Sequence, residues 1–151
     1  MPRLRPMTPL APVALILRLA LGAVFLYASW DKLLNPADFA AIVRDYRMVP
    51  DWSSNVVAVW LPWLEAVLGL LLLAGVWRWG SLLLANLLLP AFWGMLFFNY
   101  LRGIDVGCGC FSTTPGESGD MEWFLLRDGL LVLLGLAAAL AQWKQRAASR
   151  A

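Results

Sequence analysis

The residues best suited to chemistry stand in one short stretch, Cys108-Gly109-Cys110, within a loop rich in glycine and polar residues. They are the two cysteines of a 151-residue chain that contains no histidine. Lack of histidine removes imidazole metal sites and the Ser-His and Cys-His nucleophile pairs. With one residue between them, the two sulfurs meet only if the backbone turns tightly, and Gly107 and Gly109 supply the freedom to do so. So small a ring is strained, and strained, accessible disulfides have oxidising potentials suited to labile or catalytic pairs. It would be a poor staple, because closing a short loop barely restricts the unfolded chain. The pair therefore reads first as a thiol–disulfide exchange site. A soft-metal site, for example for Cu(I), is a second reading, although no Met or His stands in the loop. Two unreactive buried thiols are the third, and the accessible Gly-rich setting favours it least.

A second group of chemical residues, Arg18, Glu65, Arg127 and Asp128, interrupts otherwise apolar runs. Charges at such positions are rare in membrane spans and are expected to face the bundle interior and pair. At about 1.5 Å per residue from the outer ends of their runs, Arg18 lies about 18 Å deep, Glu65 about 13 Å, and Arg127 with Asp128 about 6 to 8 Å. Arg18 and Glu65 are thus expected to meet near mid-membrane. Arg127 and Asp128 are about 100° apart around a helix, so each is expected to find its partner elsewhere. Two roles fit these four residues: structural ion pairs that set helix register, or a functional group that binds a polar head such as a quinone carbonyl or relays protons. Asn86 and Asn99 are candidates to join either network.

The elements that must position these groups follow from composition. Hydrophobic residues make up 61% of the chain and charged residues 15%, far from the balance of a soluble domain. Residues 10–30, 56–77, 80–101 and 123–143 form four apolar runs, each long enough to cross about 30 Å of hydrocarbon as a helix. Lipid offers the backbone no hydrogen bonds, so the expected fold is all-α, a four-helix transmembrane bundle. The first run reads as a retained helix, since Arg18 interrupts it and no A-x-A cleavage site follows. Trp30, Trp52, Trp77, Trp79, Trp123 and Trp143 lie at or near the run ends, where indole prefers the headgroup level. Pro62 and Pro90 fall inside the second and third runs, which predicts kinks and makes those helices candidates to line a cavity.

Charge asymmetry predicts sidedness. The termini and the turn at Arg78 carry six basic residues and no acid, whereas the two longer loops carry four basic and eight acidic residues. Both termini are then expected in the cytoplasm, with the cysteine loop on the outer, periplasmic side of an inner membrane. That oxidising location favours a disulfide. The basic residues form no aromatic-interleaved patch, so nucleic acid is not an expected partner. In the first outer loop, Asn35-Pro36-Ala37-Asp38 reads as N-cap, first helical residue and acidic first turn. Phe39, Ile42, Val43 and Tyr46 then share one face, which predicts a short amphipathic helix ending before Pro50. It reads as a shielding lid over the bundle end, or more specifically as a gate over a site.

Together these residues resemble a known family. The series Arg18-Leu-Ala-Leu-Gly22, Trp30-Asp-Lys32, Asn35-Pro36, Tyr46 with Pro50, Leu61-Pro-Trp-Leu-Glu65, Cys108-Gly-Cys-Phe111 and Arg127-Asp128 is similar to the methylamine utilisation protein MauE family, within the wider DoxX-like membrane proteins. Ser112 stands where that family usually has Gly. The resemblance implies an inner-membrane protein that works with a periplasmic thioredoxin-like partner in maturing the disulfide-rich small subunit of methylamine dehydrogenase. A count limits the mechanism further: one cysteine pair on one face cannot carry electrons across the bilayer by thiol exchange alone. Either a lipid-soluble quinone near Arg18 or Arg127 exchanges electrons with the pair, or the pair shuttles between outer-face partners. In both cases a partner thiolate and one of Cys108 and Cys110 form a mixed disulfide that the other resolves. The competing classes are a non-catalytic assembly scaffold and a transporter-like protein, which with four helices would have to form a homo-oligomer.

Overall fold

The computed structural model describes residues 10–104, 107, 109–111, 113 and 120–150. Among these residues there are five helices: α1 (Leu10–Leu34), α2 (Pro36–Asp45), α3 (Asp51–Ala74), α4 (Arg78–Leu101) and α5 (Met121–Arg150). Four of them are long and apolar enough to span a membrane. In their most apolar stretches only 22–33% of residues are buried, and Ile16, Leu70, Leu83 and Leu133 are each more than half exposed. Apolar surface on that scale is unfavourable in water but is the expected outer face of a bundle solvated by lipid. The chain is a multi-pass membrane protein.

The helices run further than the apolar runs. α1 continues four residues past Trp30 and α3 begins at Asp51, because helical geometry does not end where hydrophobicity does. Lys32, which composition places in a loop, therefore sits in the last turn of α1. α3 stops at Gly75, whose left-handed φ of 71° lets its N–H bond the Leu71 carbonyl, the usual glycine C-terminus. A three-residue turn then reverses the chain into α4.

Around the bundle, α1 packs on α3 and α5, and α4 on α5 and α3. The α1–α3 contact is the most extensive, and it is close because two glycines meet there. A Cβ on Gly69 would stand 2.9 Å from the Gly22 carbonyl oxygen and 2.8 Å from Leu26 Cγ, so only residues without side chains allow this approach. Polar side chains join α4 to α5. Asn86 Nδ2 donates to the carbonyls of Leu82 at 2.9 Å and Gly135 at 3.1 Å, and Trp93 Nε1 donates to Leu125 at 3.0 Å. Asn99 Nδ2 donates to Met95 within its own helix. The two asparagines thus bond backbone and not, as the sequence suggested, the buried charges.

The short helix α2 forms where its periodicity predicts, with Pro36 in the first turn. Asn35 occupies the N-cap position without capping; its side-chain amide turns back to Asp31, 3.1 Å from Oδ1. Phe39 and Ala40 pack against Ala58, with Val43 and Leu61 around them, so α2 lies as a roof across one end of α3. The cysteine loop joins α4 to α5 at this same end of the bundle.

Gly69→Val should lower stability by about 1–3 kcal/mol through overpacking of the α1–α3 crossing. Thermal unfolding in detergent reads this directly. Gly94→Ala, where an added Cβ meets nothing within 4 Å, should melt at or above the parent temperature.

Candidate functional site

Beneath the α2 roof the bundle encloses a cavity of about 130 Å³. Its walls are largely apolar, with Phe25, Leu61, Leu89, Phe92 and Leu131 among them, and its polar groups are Lys32, Tyr46, Glu65, Cys110 and Asp128. The two proline-containing helices both line it, through Leu61 and Glu65 of α3 and Leu89 and Phe92 of α4.

The deepest feature is an ion pair. Lys32 Nζ lies 2.8 Å from both carboxylate oxygens of Glu65, and the two side chains are 5% and 2% exposed. This corrects the expected Arg18–Glu65 pairing. Helical side chains lean toward the N-terminus of their own helix, so Lys32, near the end of α1, is directed back along the bundle toward Glu65. Its ammonium also lies 5.2 Å from the Phe39 ring centre and 5.8 Å from that of Phe92, both favourable cation–π positions.

Arg18 is elsewhere. Its guanidinium packs against the α3–α4 turn, where a Cβ on Gly75 would stand 2.7 Å from Nη1, and Arg78 acts on it electrostatically. That turn is at the end of the bundle opposite the cysteine loop, and the long Arg18 side chain carries its charge toward that polar boundary. Arg18 Nε is buried and makes no hydrogen bond. The structure therefore brings Glu65, Asp128 and Cys110 together around one cavity and leaves Arg18 out of it.

Arg127 and Asp128 bond each other, Nε to Oδ1 at 3.0 Å, which corrects the expectation of separate partners. The 100° offset applies to Cβ atoms, and a side chain as long as arginine spans it. The Arg127 guanidinium also lies 4.5 Å from the centre of Phe111 and 5.2 Å from that of Phe124. Phe111 in turn packs on Tyr27, centroids 5.6 Å apart.

These contacts position the cysteine loop. Thr113 donates its N–H and its hydroxyl to Asp31 Oδ2, at 2.6 and 2.8 Å, and is 2% exposed. Gly109 has φ 62°, and a Cβ there would stand 2.9 Å from Ile42 Cγ2. Glycine is required both for the left-handed backbone and for the space under α2. Cys110 Sγ then sits 3.3 Å from the second oxygen of Asp128. Cys108 lies outside the described residues, so its expected place beside Cys110 is carried by the sequence alone.

Tyr46, at the C-terminal end of α2, completes the cavity wall. Burial pushes its hydroxyl well above the ordinary phenol range, the Asp128 carboxylate adds to this and Arg127 opposes it. It is a neutral phenol throughout the physiological range. Lys32, Asp31, Tyr46 and Thr113 were not singled out from the chain as site residues. The signal was present for three of them, in the Trp30-Asp-Lys32 and Tyr46 elements of the family resemblance; nothing in the local sequence marks Thr113.

The model of the family described as Methylamine utilisation protein MauE matches residues 10–142. The chain is 36% identical over 125 residues to Methylamine utilization protein MauE of Paracoccus denitrificans, covering 82% of this chain and 66% of that protein. It is 33% identical, with the same coverage, to the protein of that name from Paracoccus versutus. A third relative of that name, from Methylorubrum extorquens, is 31% identical over 85% of this chain and 64% of its own length. The chain thus spans just under two thirds of the length of these curated relatives. No solved structure matches it.

Removing one member of a buried ion pair strands the other, at about 3–5 kcal/mol. Lys32→Met and Glu65→Met should each destabilise the protein to that extent in detergent unfolding, and the double variant should recover most of the loss. Simple addition of the two single effects would show that the pair is not coupled.

Proposed function

This chain belongs to the methylamine utilisation protein MauE family, and from that premise we propose that it is a membrane thiol–disulfide redox protein serving methylamine utilisation. Cys108 and Cys110 form the exchanging pair. What supports the pairing is that no described cysteine is free and that the chain has only these two. The observation that carries the reading is the setting of Cys110: a sulfur 3.3 Å from a carboxylate, on a loop tied down by Thr113–Asp31 and turned by Gly109. A buried staple has no use for an adjacent proton acceptor, whereas a pair that cycles between thiol and disulfide does.

In the forward direction a thiolate of a periplasmic thioredoxin-like partner attacks one sulfur of the Cys108–Cys110 bond. That bond opens as the mixed disulfide forms, and the released sulfur takes a proton, with Asp128 next to Cys110 as the group that holds or supplies it. A second partner thiolate then attacks the mixed disulfide. The partner has lost two electrons and two protons and become a disulfide; Cys108 and Cys110 have gained both as thiols. The product of the partner's own activity would be a disulfide-rich periplasmic protein, for which the family resemblance suggests the methylamine dehydrogenase small subunit. Charge asymmetry between the two ends of the bundle supports termini in the cytoplasm and the cysteine loop outside.

Cys108→Ser and Cys110→Ser should each abolish maturation of the partner's client in cells, and one of them should accumulate a mixed disulfide with the partner, visible as a reductant-sensitive band. Full maturation in both variants would instead assign the chain a scaffold role. Asp128→Asn should slow exchange at least tenfold, with its dependence on pH flattened relative to the parent.

A further inference from the structure

We propose that the cavity behind Cys110 binds a lipid-soluble quinone, which takes up the two electrons that the cysteine pair collects. The inference rests on the redox reading above and names the acceptor that reading leaves open. A chain with two cysteines in total returns to its disulfide form only by passing electrons to a second acceptor. Cys110 borders the cavity that lies between the membrane helices.

Lining and charge point to the same occupant. Phe25 and Phe92 offer aromatic walls and Leu61, Leu89 and Leu131 aliphatic ones, which suits a flat apolar ring. Its polar groups suit the ring's two carbonyls. An ammonium has three donors; Glu65 engages Lys32 through its two oxygens, and a third donor remains for an acceptor in the cavity. Tyr46 contributes a neutral hydroxyl, since burial holds it protonated. An anion would meet Glu65 and Asp128, and a cation would meet Lys32, so a neutral acceptor is the chemistry these charges admit. The surrounding helices are membrane spans, so an acceptor dissolved in lipid has the shortest approach.

The step balances. Cys108 and Cys110 as thiols lose two electrons and two protons as the sulfur–sulfur bond forms. The quinone gains both, its two C=O groups becoming C–OH. Asp128, 3.3 Å from Cys110 Sγ, receives the thiol proton as the sulfur reacts, and Lys32 stands as a donor toward a reduced oxygen.

The test uses the full chain in lipid nanodiscs, reduced with dithiothreitol, desalted and mixed without oxygen with decylubiquinone. One equivalent of quinol should form per cysteine pair as two thiols disappear, and no quinol should form with Cys108→Ser/Cys110→Ser. Leu61→Trp, or Val57→Phe at another wall residue where the first fails to fold, should fill the cavity and slow quinol formation at least tenfold. Lys32→Gln should raise the quinone concentration needed for half-maximal rate at least tenfold. A parent protein whose cysteine pair exchanges with dithiothreitol but leaves the quinone oxidised overturns this inference and spares the redox reading. Quinol formation at parental rate in folded, cavity-filled variants overturns the assignment of the cavity. A parent that neither exchanges nor reduces the quinone overturns both.

Discussion

Two opposite charges, Lys32 and Glu65, are held at 2.8 Å inside an apolar bundle, and most of the arrangement around them follows from the need to keep them together. Neither charge is tolerable alone away from water. The pair therefore ties the last turn of α1 to the middle of α3, across the helix contact that Gly22 and Gly69 bring closest. That close approach in turn lets α2 lie over the end of α3. The space left between the pair, the roof and α4 is the cavity, so the site's shape depends on the ion pair as much as its charge does.

The cysteine loop is fixed to this frame by its neighbours. Asp31 holds Thr113 from the position next to Lys32, so one turn of α1 anchors both the interior charge and the loop. Arg127 does the same from α5, bonding Asp128 on one side and lying over Phe111 on the other. Cys110 is left between the polar floor of the loop and the apolar cavity. A sulfur so placed is in contact with both a carboxylate and the membrane interior, which is the combination that exchange with a soluble partner and an apolar acceptor would need.

The two ends of the bundle are built differently. At the end bearing the roof and the loop, carboxylates outnumber cations, and the buried charges Lys32, Glu65 and Asp128 are paired. At the other, Arg18 extends to the Gly75 turn beside Arg78, and Arg146 of α5 lies 5.4 Å from the centre of the Trp79 ring. Arg18 is costly to bury, but its length lets the charge leave the centre of the bundle. It has no part in the cavity.

Much of this was legible in the chain. The four apolar runs and the surface helix beginning at Pro36 are local consequences of hydrophobic length and periodicity, and they require no knowledge of neighbours. Cys110, Glu65 and Asp128 were also identifiable, because charge or thiol in such surroundings is unusual whatever it touches. The partners were not. Helix ends read from hydrophobicity put Lys32 in a loop and gave Glu65 to Arg18, and a helical wheel separated Arg127 from Asp128. Pairing is decided by how far side chains reach and in which direction a helix tilts them, and by which helices stand side by side. A single sequence carries the cost of each buried charge, but only the packing of α1 against α3 determines which opposite charge relieves it.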